Sequence, residues 1–131
     1  MPPSVFHGGR LLGVLSVAGG GLVGSLLRVG LGTALPGGGG FPVSTLTVNL
    51  VGSLMLGLFL ARRERAVATA AALRFWAIGL FGALTTFSGF AVESVELLRA
   101  DRYGVAAGYA LASIGGGLAL ALAGHWLGSR R

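Results

Sequence analysis

The chain contains no cysteine and no lysine. Without thiols there is no disulfide, no thiolate metal site and no thiol nucleophile. Acids are scarce as well, with Asp and Glu together numbering four. Charged residues make up 11% of the 131 residues, where a soluble domain carries roughly a quarter. There is no Ser-His-acid set, no pair of carboxylates at membrane depth and no Gly-rich loop ending in Gly-Lys-Ser/Thr. Those gaps argue against an enzyme.

What is present is apolar. Hydrophobic residues are 53% of the chain, mean hydropathy is +0.82, and glycine occurs 25 times without a collagen-like period. The composition predicts an all-α integral membrane protein in which glycines serve close helix packing and helix breaks. The length allows one domain over 1–131, with four spans at about 11–35, 43–61, 75–98 and 104–127. The first apolar run is too long for the h-region of a signal peptide and no A-x-A-like site follows it, so it reads as a retained span.

The formal charge of +6 comes from ten arginines. They fall between apolar segments, where they read as topology signals and head-group contacts and not as a nucleic-acid surface. Arg10, Arg62, Arg63, Arg65, Arg74, Arg130 and Arg131 fall on one side, and Arg99 and Arg102 on the other. The positive-inside rule then predicts cytoplasmic termini in a multi-pass protein of the cell inner (plasma) membrane.

Several polar residues sit where a lipid-facing helix needs none. Thr45, Asn49 and Ser53 recur every four residues on one face of the second span. They serve as interhelical hydrogen-bond glue or as a functional row, and the Asn49 amide is costly to desolvate without a partner. The third span carries Gly79-Leu80-Phe81-Gly82-Ala83-Leu84-Thr85-Thr86-Phe87-Ser88-Gly89-Phe90. Glycine and hydroxyl residues weaken a helix, so this span is predicted to break at its centre, at Gly82–Thr85. Such a break is tolerated only in protein or beside a wet cavity. Tyr109 and Ser113 lie one turn apart on the fourth span, whose Gly104, Gly108, Ala112 and Gly116 suggest a small-residue packing face.

Hydrogen-bond donors at membrane depth and the positive edges of Phe87 and Phe90 favour an anion. Exposed N–H groups at the start of a half-helix would add to that preference. Arg28, embedded in the first span, either snorkels to the interface or stands beside an anion pathway. Glu93 either pairs with an arginine such as Arg28 or shapes the electrostatics of a pore mouth. The stretch Ala66 to Leu73 is read as a connector.

The run Gly82-Ala83-Leu84-Thr85-Thr86-Phe87-Ser88-Gly89-Phe90 resembles the Gly-Gly-x-Thr-Thr-Phe-Ser-Thr-Phe signature of the Fluc (CrcB) fluoride channels. Phe41-Pro42-Val43-Ser44-Thr45-Leu46-Thr47-Val48-Asn49-Leu50-Val51-Gly52-Ser53 is similar to that family's Pro-x-Gly-Thr-x-x-Val-Asn-x-x-Gly-Ser pattern. Gly20-Gly21-x-x-Gly24-x-x-x-Arg28 is similar to its first-span motif. The resemblance implies a fluoride-selective channel that exports fluoride. It implies an antiparallel dimer, with two pores along the subunit interfaces and a central structural Na+ that is not transported.

By position, Phe87 and Phe90 would line the fluoride path, and Asn49 and Ser88 would hydrogen-bond in it. Tyr109 and Ser113 would form a polar track, with Thr45 counted among the pore residues. Backbone carbonyls of Gly82 and Thr85 would hold Na+, and Arg28 would stand near the vestibule. The chain departs from the pattern at Gly89, Ala83, Ser44, Val29 and Gly117. Its seven-against-two arginine bias leaves a homodimer and a heterodimer with a related subunit both open. The rivals are a small multidrug-resistance-type drug or cation transporter and a non-transporting membrane scaffold. The first needs an acid in its first span, and none is present there. The second explains the glycine faces but not Asn49 together with Phe87 and Phe90.

Overall fold

The computed structural model describes residues 5–35, 40–65 and 69–130. Residues 36–39 of the turn before the second span, the connector residues 66–68, the first four residues and Arg131 lie outside the described residues. The described residues form helices α1 (Val5–Ala34), α2 (Val43–Arg65), α3 (residues 70–84), α4 (Phe87–Arg99) and α5 (Tyr103–Ser129). Among the described residues, four segments are long and apolar enough to cross a membrane: Gly9–Ala34, Val43–Arg63, Ala70–Arg99 and Tyr103–Ser129.

The third segment begins earlier than Phe75. Ala70–Leu73 is already helical, with Thr69 as its N-cap: the Thr69 side chain accepts from the Ala72 N–H at 3.2 Å. The alanines that read as a connector are strong helix formers once a cap is in place. From Arg74 to Phe81 the winding is π-helical, and Gly82–Leu84 returns to α. Thr85 (φ −79, ψ 154) and Thr86 (φ −145, ψ 124) are extended, and α4 starts at Phe87.

The most extensive packing is α2 against α5, followed by α1 against α3. Both rest on backbone contact that a side chain would block. A Cβ at Gly24 would run into the carbonyl oxygen of Leu80, and one at Gly124 into that of Leu54. Two apolar clusters result. Val48, Leu80, Phe81 and Leu84 form one, and Leu97, Ala106 and Tyr109 the other, with α3 feeding the first and α4 the second.

Within the single chain the small-residue row on α5 is covered only in part. Gly104 and Gly108 are exposed, with open space where a Cβ would go, while Gly124 and Gly128 are buried against α2. Four residues of α-helix turn about 40° more than one revolution, so a strict four-residue repeat drifts by about 120° between Gly104 and Gly116. The contact face follows the helix period and not the repeat.

The α4–α5 turn is tight. Asp101 adopts φ 55, a conformation its short polar side chain tolerates, and accepts a hydrogen bond from the Tyr103 hydroxyl at 2.9 Å. Arg102 reaches across to donate to the Gly40 carbonyl at 2.8 Å. This ties the start of α2 to the start of α5.

Candidate functional site: a donor-lined groove at the Thr85–Thr86 link

The extended link between α3 and α4 leaves backbone groups that a continuous helix would satisfy. Asn49 on α2 takes two of them. Its Nδ2 donates to the Thr86 carbonyl at 3.0 Å, and its Oδ1 accepts from the Thr86 N–H at 2.8 Å. Thr86 in turn caps α4: its Oγ1 accepts from the Gly89 N–H at 3.0 Å. Thr85 remains tied to α3, its N–H and its hydroxyl both donating to the Phe81 carbonyl, at 3.1 and 2.8 Å.

In an unbroken α-helix the Thr86 N–H would bond the Gly82 carbonyl, and the Gly89 N–H the Thr85 carbonyl. Here the two donors go to Asn49 and to the Thr86 hydroxyl. The break thereby frees the Gly82, Ala83, Leu84 and Thr85 carbonyls from their helical partners, and several hard oxygen acceptors are released at one link.

Beside the link lies a groove of about 290 Å³, lined by Asn49, Gly52, Ser53, Leu56, Thr85, Thr86, Phe87, Phe90, Ser113 and Ile114. Three helical elements and the link thus converge on it. The Ser113 hydroxyl is buried with no hydrogen-bond partner among the described residues. Phe87 and Phe90 are tilted neighbours, with ring centroids 5.8 Å apart. Phe87 is 79% exposed on the open side, while Phe90 leans inward against Tyr109 at 5.3 Å. Phe41 meets the Tyr109 ring edge-on at 5.7 Å.

Behind Phe90 sits a second polar cluster. Glu93 on α4 accepts from Thr45 Oγ1 at 2.6 Å and from the Tyr109 hydroxyl at 2.5 Å. Tyr109 is fully buried. The carboxylate is therefore held by hydroxyls from α2 and α5, rather than by Arg28. Arg28 is half-buried and shares a small cavity of about 90 Å³ with Gly32, Ser44, Thr45, Val48 and Thr86. That cavity is separate from the groove, with Thr86 common to the two.

The structure therefore divides the sequence-derived set. Asn49, Thr85, Phe87, Phe90 and Ser113 meet in the groove. Thr45, Glu93 and Tyr109 form the cluster behind it. Ser88 is exposed and makes its contact with the Thr86 hydroxyl at 3.1 Å. Gly82 is not among the residues that line the groove. Thr86 joins these parts together; the sequence offers it as one of several polar groups at membrane depth but does not give it this linking role. Its signal is the N-cap preference of threonine immediately before the α4 helix. Gly52, Leu56 and Ile114 complete the wall and carry no chemical signal of their own.

Residues 15–125 match the family model described as CrcB-like protein, Camphor Resistance (CrcB). A fluoride-specific ion channel FluC of Thermus thermophilus is 45% identical over 116 residues, covering 87% of this chain and 93% of the relative. FluC 2 of Geobacillus kaustophilus is 41% identical over 114 residues, covering 85% and 88%. A FluC of Pseudomonas fluorescens is 39% identical over 117 residues, covering 85% and 92%. With the match spanning the four apolar segments and the groove between them, the chain belongs to the CrcB-like family.

Proposed function

We propose that the protein is a fluoride-specific ion channel, not an enzyme, and that it lets fluoride leave the cell across the cytoplasmic membrane. The observation that carries this reading is the groove at the Thr85–Thr86 link. It is lined by the polar side chains of Asn49, Ser53 and Ser113 and by the Phe87 and Phe90 rings, and no carboxylate lines it among the described residues. The Ser113 hydroxyl is buried beside the groove with no hydrogen-bond partner by distance and angle among those residues, which leaves a donor uncommitted there. A small anion that gives up water needs such fixed donors in exchange, and the edges of Phe87 and Phe90 add a weak positive potential. The relatives' names specify the anion as fluoride. A cation or drug transporter would need an acid in the groove, so that alternative is not favoured.

The working unit in this reading is a dimer of oppositely inserted subunits, with the groove closed into a pore by the partner. The exposure of Phe87 supports this: a ring 79% uncovered beside a donor-lined groove leaves half of a pore wall to be supplied. The arginine bias keeps both a homodimer and a heterodimer with a related subunit in view. Glu93, fixed by Thr45 and Tyr109, and Arg28 in the neighbouring cavity set the field around the path.

A structural Na+ belongs to the same reading. The donor set fits it: the Gly82 and Thr85 carbonyls are released from helical hydrogen bonding, and carbonyl oxygen suits a hard cation. With carbonyls from both subunits, the ion would pin the two links together without being transported. The channel reading is tested by fluoride efflux from liposomes containing the purified protein, with chloride as control. Fluoride efflux without chloride efflux is expected. No fluoride efflux, or equal chloride flux, rejects the channel.

A further inference from the structure

A wide groove lies away from the Thr85–Thr86 link, between α1 and α3, with a volume of about 910 Å³. Arg10 and Arg74 stand in it, and Gly13, Val14, Val17 and Ile78 are among the residues that form its floor and walls. The two helices run in the same direction here. Gly13 faces Arg74, Gly20 faces Phe75 and Leu80, and Gly24 faces Leu80 and Leu84.

Arg10, Val14 and Val17 fall at i, i+4 and i+7 on one face of α1, and Arg74 and Ile78 at i and i+4 on α3. The arginines thus mark one end, and an apolar channel leads from them along the helices for about 12 Å. The absent side chain at Gly13 admits the Arg74 guanidinium: a Cβ there would lie 3.1 Å from its Nη1 and 3.2 Å from its Cζ. Arg74 is thereby folded back over α1, one turn from Arg10. No acid lines the groove among the described residues.

Two arginines at one end of an apolar groove match one kind of molecule. We propose that this groove seats an anionic phospholipid, its phosphate between Arg10 and Arg74 and one acyl chain along Val14, Val17 and Ile78. Charge complementarity selects an anionic head group over a zwitterionic one, and the apolar walls select a lipid over free phosphate. The bound lipid fastens α1 to α3, the helix that leads into the Thr85–Thr86 link.

The test is lipid retention by native mass spectrometry on delipidated protein, with phosphatidylglycerol and phosphatidylcholine of identical acyl chains. The wild type is expected to prefer phosphatidylglycerol by at least about tenfold. Arg10→Ala with Arg74→Ala removes that preference. Arg62→Ala with Arg63→Ala, a basic pair outside the groove, leaves it intact. Val17→Trp keeps both arginines but fills the channel, and weakens phosphatidylglycerol binding. Excess inorganic phosphate does not displace the lipid. The proposal is overturned by equal retention of the two lipids in the wild type, by an equal loss in the Arg62/Arg63 variant, by undiminished binding in Val17→Trp, or by displacement with phosphate.

Discussion

Asn49 holds the Thr86 peptide groups from both sides, donating to the carbonyl and accepting from the N–H. One side chain on α2 thus substitutes for two backbone partners that the link lacks. Each buried group left unpaired costs about 1–3 kcal/mol. Asn49→Leu, of similar size but without polar atoms, is therefore expected to lower stability by about 2 kcal/mol or more and to abolish fluoride flux. Denaturant titration in detergent, alongside liposome efflux, measures both. Wild-type stability in this variant would show that the link stands without the clasp.

The ring pair separates packing from conduction. Phe87 is mostly uncovered in the single chain, whereas Phe90 stacks inward on Tyr109. Phe87→Ile is expected to cut flux severely with little change in stability. Phe90→Ile is expected to cut flux and also to cost about 1 kcal/mol through the lost aromatic contact. Size-exclusion chromatography checks that the oligomer survives. Normal flux in both variants would mean the rings do not line the path.

Gly52 sits against the Thr85 methyl, and a Cβ at Gly52 would run into that Cγ2 atom. Thr85 cannot swing freely, because its hydroxyl is bonded to the Phe81 carbonyl. Gly52→Ala is therefore expected to push the link away from α2 and destabilise the protein by about 1–3 kcal/mol. Flux should fall with it, since Asn49 and Phe87 move relative to one another. An alanine variant with unaltered melting and efflux would show that the contact is loose.

The Glu93 cluster predicts coupling. Tyr109→Phe and Thr45→Val each remove one donor from the carboxylate, at about 1.5–3 kcal/mol for a hydrogen bond to a charged group. With both removed, Glu93 has lost both hydroxyl donors in a half-buried position. The double variant should lose more stability than the sum of the single changes, which a double-mutant cycle measures. Strict additivity would indicate that Glu93 finds other partners, such as water, without cost.

The parts of this architecture that depend on local chemistry are legible in the sequence, and those that depend on register are not. Four apolar segments announce themselves by length and composition. Asn49 and the Phe87/Phe90 pair stand out because their types are out of place in a lipid span. That Asn49 meets Thr86, 37 residues away, depends on how α2 lies against the link, and no spacing encodes it. The same holds for Glu93, whose partners are 48 and 16 residues distant. The alanine-rich stretch before Arg74 could be helical by composition, yet it reads as a connector because it lies between arginines, outside the apolar run of the third span. The Gly104–Gly116 row is not covered along its whole length within the single chain, because a repeat of four drifts off one helical face over three turns.

Thr85 and Gly82 give the last prediction. Their carbonyls lose helical partners because the donors that would close on them are bonded to Asn49 and to Thr86. Unpaired carbonyls inside a membrane protein need another partner, and a sodium ion shared between two subunits would satisfy both carbonyls of each. Exhaustive dialysis into N-methyl-D-glucamine buffer should therefore slow fluoride efflux and loosen the dimer, and added Na+ should restore both. N-methyl-D-glucamine is far too large to sit between carbonyls, so it cannot substitute. Restoration by Na+ on flux and on oligomeric state together separates a structural ion from a screening effect, which choline chloride at equal ionic strength would mimic. If flux and dimer are unchanged without Na+, the released carbonyls are satisfied by water and the sodium assignment fails.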